Sequence, residues 1–455
     1  MNKMRVVIVG GGISGLSLAY FLLEKNKDLD IVVIESEKKA GGKIWTEKVN
    51  GFLCEGGVNG FLDNRPKTLE LASKLSLKPL RSNDSARKRY IFSNGKLNLL
   101  PESPVSFLRS NLLSFSGRLR VLAEVFVPKR MDDDETLAQF AIRRLGRDAY
   151  EKLIDPMASG IFAGDPEKMS LRSCFPKVYN LEQTYGSLIK GMIRLKRQAR
   201  KTGQKVGAGP GGVLMSFYDG MGTMINALTT FLGDRLKYDN RVVSIDKVNN
   251  LYNIYLKDGS FIESDVVVIA SPAYEAGKIL GSLNKEISLL LGDIFYPSIT
   301  VVCFGYKKER IKYPLNGFGF LIPYKEKRKI LGTLWDSSIF PNRAPDDMVL
   351  MRSMIGGARN SGLALMEEDK IVDIVINELR DIMDINVTPD FVKIYRHEKG
   401  IPQYHVGHER RLSRIEELLS KLKGLYLTGN AYRGIGVNDC IENSFKLAER
   451  IAKDI

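Results

Sequence analysis

The residues with the plainest chemical purpose stand near the start of the chain. They are Gly10-Gly11-Gly12-Ile13-Ser14-Gly15, with Glu35-Ser36 following after a further twenty positions. Gly10 permits a tight turn, Gly12 lets bare backbone approach a pyrophosphate, and Gly15 lets a helix lie close to a sheet. Gly11, Ile13 and Ser14 complete the phosphate-facing turn, where the helix N-terminus supplies amide donors and positive potential. Glu35 can accept hydrogen bonds from both hydroxyls of a ribose, and an acid there disfavours a 2′-phosphate, hence NADP. The elements needed to place these groups are present. Met4–Val9 is a β-branched strand, Leu16, Leu18, Ala19, Leu22 and Leu23 have helical spacing, and Ile31–Ile34 is a second buried strand. Together they form a βαβ dinucleotide-binding unit.

Two more glycine steps follow, Ala40-Gly41-Gly42-Lys43 and Glu55-Gly56-Gly57-Val58-Asn59-Gly60. Several glycine loops folded about one cofactor suit the long FAD better than NAD. A last cluster lies at the other end of the chain, Gly429 to Ile441, between the apolar run 424–427 and a helical tail, Ile441 to Asp454. Asn438 and Asp439 are of the types that cap a helix there.

The 455 residues can bury a large core in two or three domains, and 44% apolar with 27% charged is ordinary for a soluble globular protein. A net charge of +15 favours anionic partners. Nucleic acid is not expected: the cationic run Arg194–Lys205 has no aromatic side chain for stacking and reads as a solvated helix. Cys54, Cys174, Cys303 and Cys440 have no zinc spacing and suggest no disulfide framework, so a reducing compartment is the default. His397, His405 and His408 lack an accompanying ligand set, and no metal is expected. The apolar stretch Val6–Leu23 is broken by glycines and followed by Glu24-Lys25, so a secretory leader is not expected.

A wider set of motifs resembles the flavin amine-oxidase-like superfamily and, within it, the protoporphyrinogen oxidases. Gly10 to Lys43 match the superfamily's N-terminal signature. Arg89-Tyr90-Ile91, Ser159 to Pro166 with Leu171 and Phe175-Pro176, Gly317 to Pro323, Leu331 to Trp335, Phe340 to Pro345, Ile401 to Tyr404 with Gly407-His408, and Gly429 to Ile441 extend the likeness over nearly the whole chain. The resemblance implies FAD held by Gly10–Gly15, Glu35, Ser36, Gly42, Lys43, Gly57, Val58, Asn59, Gly60, the Val242 backbone, Gly429, Gly434, Ile435 and Gly436. It implies three two-electron oxidations of a porphyrinogen methylene bridge, with dioxygen taking the electrons and leaving as hydrogen peroxide. No residue is assigned a catalytic proton transfer, because the macrocycle can lose its protons by tautomerism. Arg89 would pair a propionate, the Gly160 carbonyl would face pyrrole N–H groups, and Leu321 and Trp335 would be apolar walls. His397 departs from the pattern, standing where some relatives carry tryptophan.

Coproporphyrinogen III is the competing substrate. An amine substrate fits less well, since no aromatic cage or covalent-cysteine motif is present. A GDP-dissociation-inhibitor-like binding protein would share the fold without flavin, and a visible spectrum separates that case. The implied architecture is α/β, with a discontinuous Rossmann-like FAD domain (1–75, 212–271, 422–455), an α+β substrate domain (76–90, 272–421) and a mainly helical, membrane-associating domain (91–211). In the last, Leu108, Leu112, Leu119, Leu122, Ala123 and Phe126 alternate with Arg109, Arg118, Arg120, Lys129 and Arg130, as in a basic amphipathic segment at an anionic lipid surface. Asp132-Asp133-Asp134 reads as a helix start and Gly207–Gly212 as a linker. The expected place is the cytoplasmic face of a membrane, held peripherally, with room for a homodimer.

Overall fold

The computed structural model describes residues 3–101, 103–130, 134–202 and 212–454. A five-stranded parallel sheet carries the nucleotide-binding unit, in the order Leu236–Lys237, Asp30–Ile34, Arg5–Val9, Val266–Ile269, Leu425–Leu427. Val6 pairs with Ile31 on one side and Val266 on the other, and Val268 pairs with Tyr426. Val6, Val7 and Ile8 are wholly buried, as strands covered on both faces must be. The helix Ile13–Lys25 covers one face and packs on the final helix, Val437–Asp454, where Ser444 Oγ donates to the Ser14 carbonyl at 2.9 Å. Three separate stretches of chain thus build one sheet, as expected of a discontinuous Rossmann-like unit.

A seven-stranded sheet forms the second layer system, in the order Phe391–His397, Ile299–Lys307, Met348–Gly356, Ile330–Leu334, Gly319–Leu321, Arg89–Ser93, Lys96–Leu99. Helix Glu368–Met383 covers it with Ile371, Val375 and Leu379. The last two strands are a correction, since 91–99 was expected with the helical part of the chain. Tyr90-Ile91-Phe92 is a good strand, and Asn94-Gly95, at φ 56° and 73°, makes the two-residue turn that sends it back.

The helical unit differs from expectation in detail. The basic amphipathic stretch 107–130 is helical in separate pieces. It is the end of Pro104–Arg109, then Phe115–Leu122, then a 3-10 turn Ala123–Phe126, broken where Ser110 and Ser114 take extended backbone. Leu112 turns inward, while Phe115, Leu119, Leu122 and Phe126 lie exposed, the last at 84%. The start of helix Leu137–Leu145 is capped by Thr136, which exchanges hydrogen bonds with Gln139. Asp134 accepts from Ser170 and Gly407, while Asp132 and Asp133 lie outside the described residues. Residues 207–211 of the expected linker and 203–205 of the cationic run also lie outside them; the run is helical through Thr202.

A buried ion cluster ties this unit together. Arg144 donates to Glu124 at 2.9 Å and to Glu182 at 2.8 Å, and all three are almost wholly enclosed. Glu124 also accepts from Ser187 Oγ and the amides of Leu188 and Ile189, so its charge lies at the N-terminus of helix Leu188–Thr202. No described helix is long and apolar enough to cross a membrane.

Candidate functional site

The first glycine loop runs from strand Arg5–Val9 into helix Ile13–Lys25. Gly10 has φ +115°, and a Cβ there would meet the backbone of Ala270 and Ser271 at 3.0 Å. Gly15 presses on the turn so closely that a Cβ would lie 2.0 Å from the Gly10 carbonyl oxygen. Gly12 is different, for nothing stands within 4 Å of where its Cβ would be. Glu35, buried at the end of the second strand, accepts from the Gly11 amide at 2.8 Å and the Glu37 amide at 2.9 Å, with Ser36 Oγ at 3.2 Å. The carboxylate therefore shapes the loop as well as offering lone pairs to a ligand. Asn240 donates its amide to the Glu35 carbonyl at 2.9 Å, which brings the start of strand Val242–Val248 beside it.

The second and third loops fold onto the first. Gly41 donates to the Gly11 carbonyl at 2.8 Å, and a Cβ on Gly42 (φ +58°) would stand 3.4 Å from Gly12 Cα. A Cβ on Gly57 would be 2.3 Å from the Lys43 carbonyl, and one on Gly60 2.3 Å from that of Met215. Lys43 Nζ donates to the Lys399 carbonyl at 2.7 Å, and burial pulls its ammonium below the usual lysine range. His397 Nε2 lies 2.8 Å from the Gly56 carbonyl, and burial lowers its pKa, so the neutral ring donates there. Arg352, fully buried, supports the same loop by donating to the Glu55 carbonyl at 2.6 Å while paired with Asp336.

The terminal turn meets these loops at Ala270. Gly10 touches its backbone, and a Cβ on Gly429 (φ +131°) would have its carbonyl oxygen at 3.8 Å. The final helix begins at Val437, ahead of Asn438 and Asp439, so the two sit within its first turn rather than before it. Asp439 Oδ2 still reaches back to the Gly436 amide at 3.3 Å, and Asn438 Nδ2 donates to the Leu62 carbonyl at 2.9 Å. Ile435 packs against the helical cluster containing Phe162 and Phe175.

A flavin nucleotide suits this arrangement. Both amide atoms of Asn59 are buried with no hydrogen-bond partner, and so is Asn438 Oδ1. Such groups are costly unless a ligand completes them. With the open space at Gly12 and the amides at the start of the final helix, they supply donors, acceptors and a close backbone approach.

Of the residues expected to meet substrate, Gly160 and Leu321 come together: a Cβ on Gly160 would lie 2.5 Å from Leu321 Cδ2. Gly160 is in the last turn of helix Asp155–Phe162, whose final carbonyls have no partner within the helix. Arg89 is exposed on the strand beside Gly319–Leu321, paired in register with Gly319 and 5.3 Å from the Phe318 ring centre. Trp335 is a correction. It has no exposed surface and lies in the sheet's core against Tyr90 and Tyr313, which is the place of a core side chain rather than of a cleft wall. Like Arg352, the residues Gln403, Tyr404 and His408 have no role that sequence reasoning assigns. Their importance is geometric, and the only trace in the chain is that they fall in one short motif.

A family profile described as flavin containing amine oxidoreductase matches residues 13–452. Coproporphyrinogen III oxidase of Bacillus subtilis (strain 168) is 31% identical over 97% of this chain and 96% of its own length. Protoporphyrinogen oxidase 1, chloroplastic, of Arabidopsis thaliana is 33% identical over 97% of this chain and 87% of its own. The solved structure of a candidate protoporphyrinogen oxidase from Exiguobacterium sp. 255-15 superposes with a TM-score of 0.85 at 27% identity, covering 100% of both chains. Reduced UDP-galactopyranose mutase shares the fold, with a TM-score of 0.76 at 16% identity over 100% of this chain and 94% of its own.

Proposed function

Since the chain belongs to the flavin-containing amine oxidoreductase family and is an FAD-dependent oxidoreductase, we propose that it oxidises a porphyrinogen, protoporphyrinogen IX, to the conjugated porphyrin. The observation that carries this reading is the meeting of two distant glycine clusters at Ala270, together with the unpartnered amide of Asn59 in the third glycine loop. The relatives named for porphyrinogen oxidation span nearly the whole chain, which supports the substrate class.

FAD would be held by Gly10–Gly15, Glu35, Gly42-Lys43, Gly57–Gly60, Val242 and the turn Gly429–Gly436. When bound, it supplies the two-electron acceptor, regenerated by dioxygen with release of hydrogen peroxide. The chain's own residues do the rest. The start of helix Val437–Asp454 would offer positive potential to the anionic edge of a bound flavin ring. Arg89 pairs a propionate, the Gly160 carbonyl accepts from pyrrole N–H, and Leu321 offers an apolar wall. These contacts orient one methylene bridge and exclude other poses, which is the protein's main contribution to rate.

The second reading, coproporphyrinogen III, is favoured by the Bacillus subtilis relative's 96% coverage. Anaerobic addition of each porphyrinogen to FAD-loaded protein separates the two. Faster bleaching of the flavin absorbance by protoporphyrinogen supports the first. Faster bleaching by coproporphyrinogen supports the second, and bleaching by neither removes both.

Peripheral attachment to a membrane, proposed to be at its cytoplasmic face, draws its support as surface attachment from exposed Phe115, Leu119, Leu122 and Phe126 among the cations of the same stretch. Co-sedimentation with vesicles containing anionic lipid, lost in high salt, is the expected result; equal binding to neutral vesicles would mean that apolar insertion dominates.

A further inference from the structure

Gln403, Tyr404 and His408 are almost wholly buried. Each donates a side-chain hydrogen bond to a backbone carbonyl at a chain reversal or helix end. Gln403 Nε2 donates to the Phe162 carbonyl at 2.8 Å, at the end of the helix that carries Gly160. Tyr404 OH donates to the Asn430 carbonyl at 2.5 Å, inside the glycine turn that precedes the final helix. His408 stacks on Tyr404, with ring centres 4.3 Å apart, and its Nε2 lies 3.0 Å from the Tyr432 carbonyl in the same turn. The backbone of this stretch is itself fixed, because Gln403 donates to Phe295 and Tyr404 accepts from Ser170.

One short segment therefore grips both walls of the candidate site. Its Gln403 end holds the wall that carries Gly160, and its Tyr404–His408 end holds the turn that carries Gly429 and Gly434. We propose that Gln403, Tyr404 and His408 are positioning residues: a strap, itself fixed to its surroundings, that holds the substrate-facing helix end at one end and the flavin-facing turn at the other. This rests on the functional reading above, in which Gly160 faces the porphyrinogen and the glycine turn faces FAD. The strap is asymmetric. Cutting its Tyr404 bond frees the flavin side, and cutting its Gln403 bond frees the substrate side.

Two equilibrium measurements on the full chain test this. FAD affinity is read by flavin fluorescence during reconstitution, and porphyrin affinity by quenching of protoporphyrin IX and coproporphyrin III fluorescence. Tyr404→Phe keeps the ring stack but loses the bond to Asn430, and is expected to weaken FAD about tenfold while changing porphyrin affinity less than about twofold. Gln403→Met, close in volume, is expected to show the reverse. His408→Asn, which retains a donor, is expected to restore more FAD affinity than His408→Leu. If Tyr404→Phe and Gln403→Met shift both affinities together, or neither, the strap is wrong. Should Gln403→Met not fold, the Tyr404 and His408 comparisons decide alone. Wild-type protein that takes up FAD but neither porphyrin would sink the functional reading and the strap with it. Binding of both ligands with parallel losses in the variants would sink the strap only.

Discussion

Gly15 and Gly10 are in such close contact that a single methyl group cannot be placed between them: a Cβ on Gly15 would lie 2.0 Å from the Gly10 carbonyl oxygen. Backbone stands on both sides of that contact, so neither residue can rotate away. The Gly12 position, two residues past Gly10, has φ −75° and open space where a Cβ would go.

The two glycines should thus fail differently. Gly15→Ala should cost about 3 kcal/mol or more of stability, at the upper end for overpacking. Gly12→Ala should leave the melting temperature of FAD-free protein unchanged and weaken FAD by at least about tenfold, because the methyl group fills the space a pyrophosphate would use. Calorimetry of stripped protein and FAD titration read the two effects separately. A Gly12→Ala variant with unaltered FAD affinity would remove the assignment.

Gly160→Ala should fold, because the atom it meets is the end of the flexible Leu321 side chain. The expected loss is in the cleft, as a KM for porphyrinogen raised several-fold, about 1 kcal/mol, with little change in FAD content. Adding Leu321→Ala should recover much of that loss. Additive losses in the double variant would show that the two side chains do not share a wall.

Trp335→Ala should lower stability by about 3–5 kcal/mol, as for a large buried aromatic. Folded Trp335→Phe protein should keep its KM for porphyrinogen. A raised KM with unchanged stability would return Trp335 to the cleft. Denaturant unfolding and steady-state kinetics on the same preparation decide it.

Acid should weaken the protein partly through His408. Burial holds its pKa down at about 4, while the unfolded chain takes up a proton at the ordinary value of 6.5. Between those values the unfolded state binds more protons, so stability rises with pH across the window. The contribution is present above pH 6.5 and lost as pH falls towards 4, at most about 3 kcal/mol. Unfolding free energies at pH 7.5 and 4.5 should differ by less in His408→Asn. An equal difference in both proteins would exclude His408 as the source.

The nucleotide-binding unit was legible because its rules are local. Glycine spacing, β-branched strands and Glu35 each state a geometry that holds wherever the chain goes next. The structure added that Glu35 also shapes its own loop. The hairpin 89–99 could have been read from Asn94-Gly95, but the helical periodicity that follows drew the boundary too early. Trp335 looked like a wall because a large aromatic suits either a cleft or a core, and only the rings of Tyr90 and Tyr313 around it tell them apart. Arg352 and Gln403 left no signal in periodicity or spacing. Their partners, Glu55 and Phe162, are hundreds of residues away, and a hydrogen bond to a backbone carbonyl places no demand on the partner's side chain.

The order of strands in the parallel sheet has a consequence for how the chain is made. Strand Val266–Ile269 borders the first strand on one side, and among the described residues its other edge pairs with Leu425–Leu427. During translation the growing polypeptide must hold a sheet with an unclosed, β-branched margin until the closing residues leave the ribosome, a delay of roughly ten to thirty seconds at about 5–20 residues per second. Such an open margin is a template for pairing with another copy of the chain. Truncations that remove the final forty residues take away the closing strand Leu425–Leu427 together with the last helix, and should therefore accumulate as aggregates rather than as a folded protein.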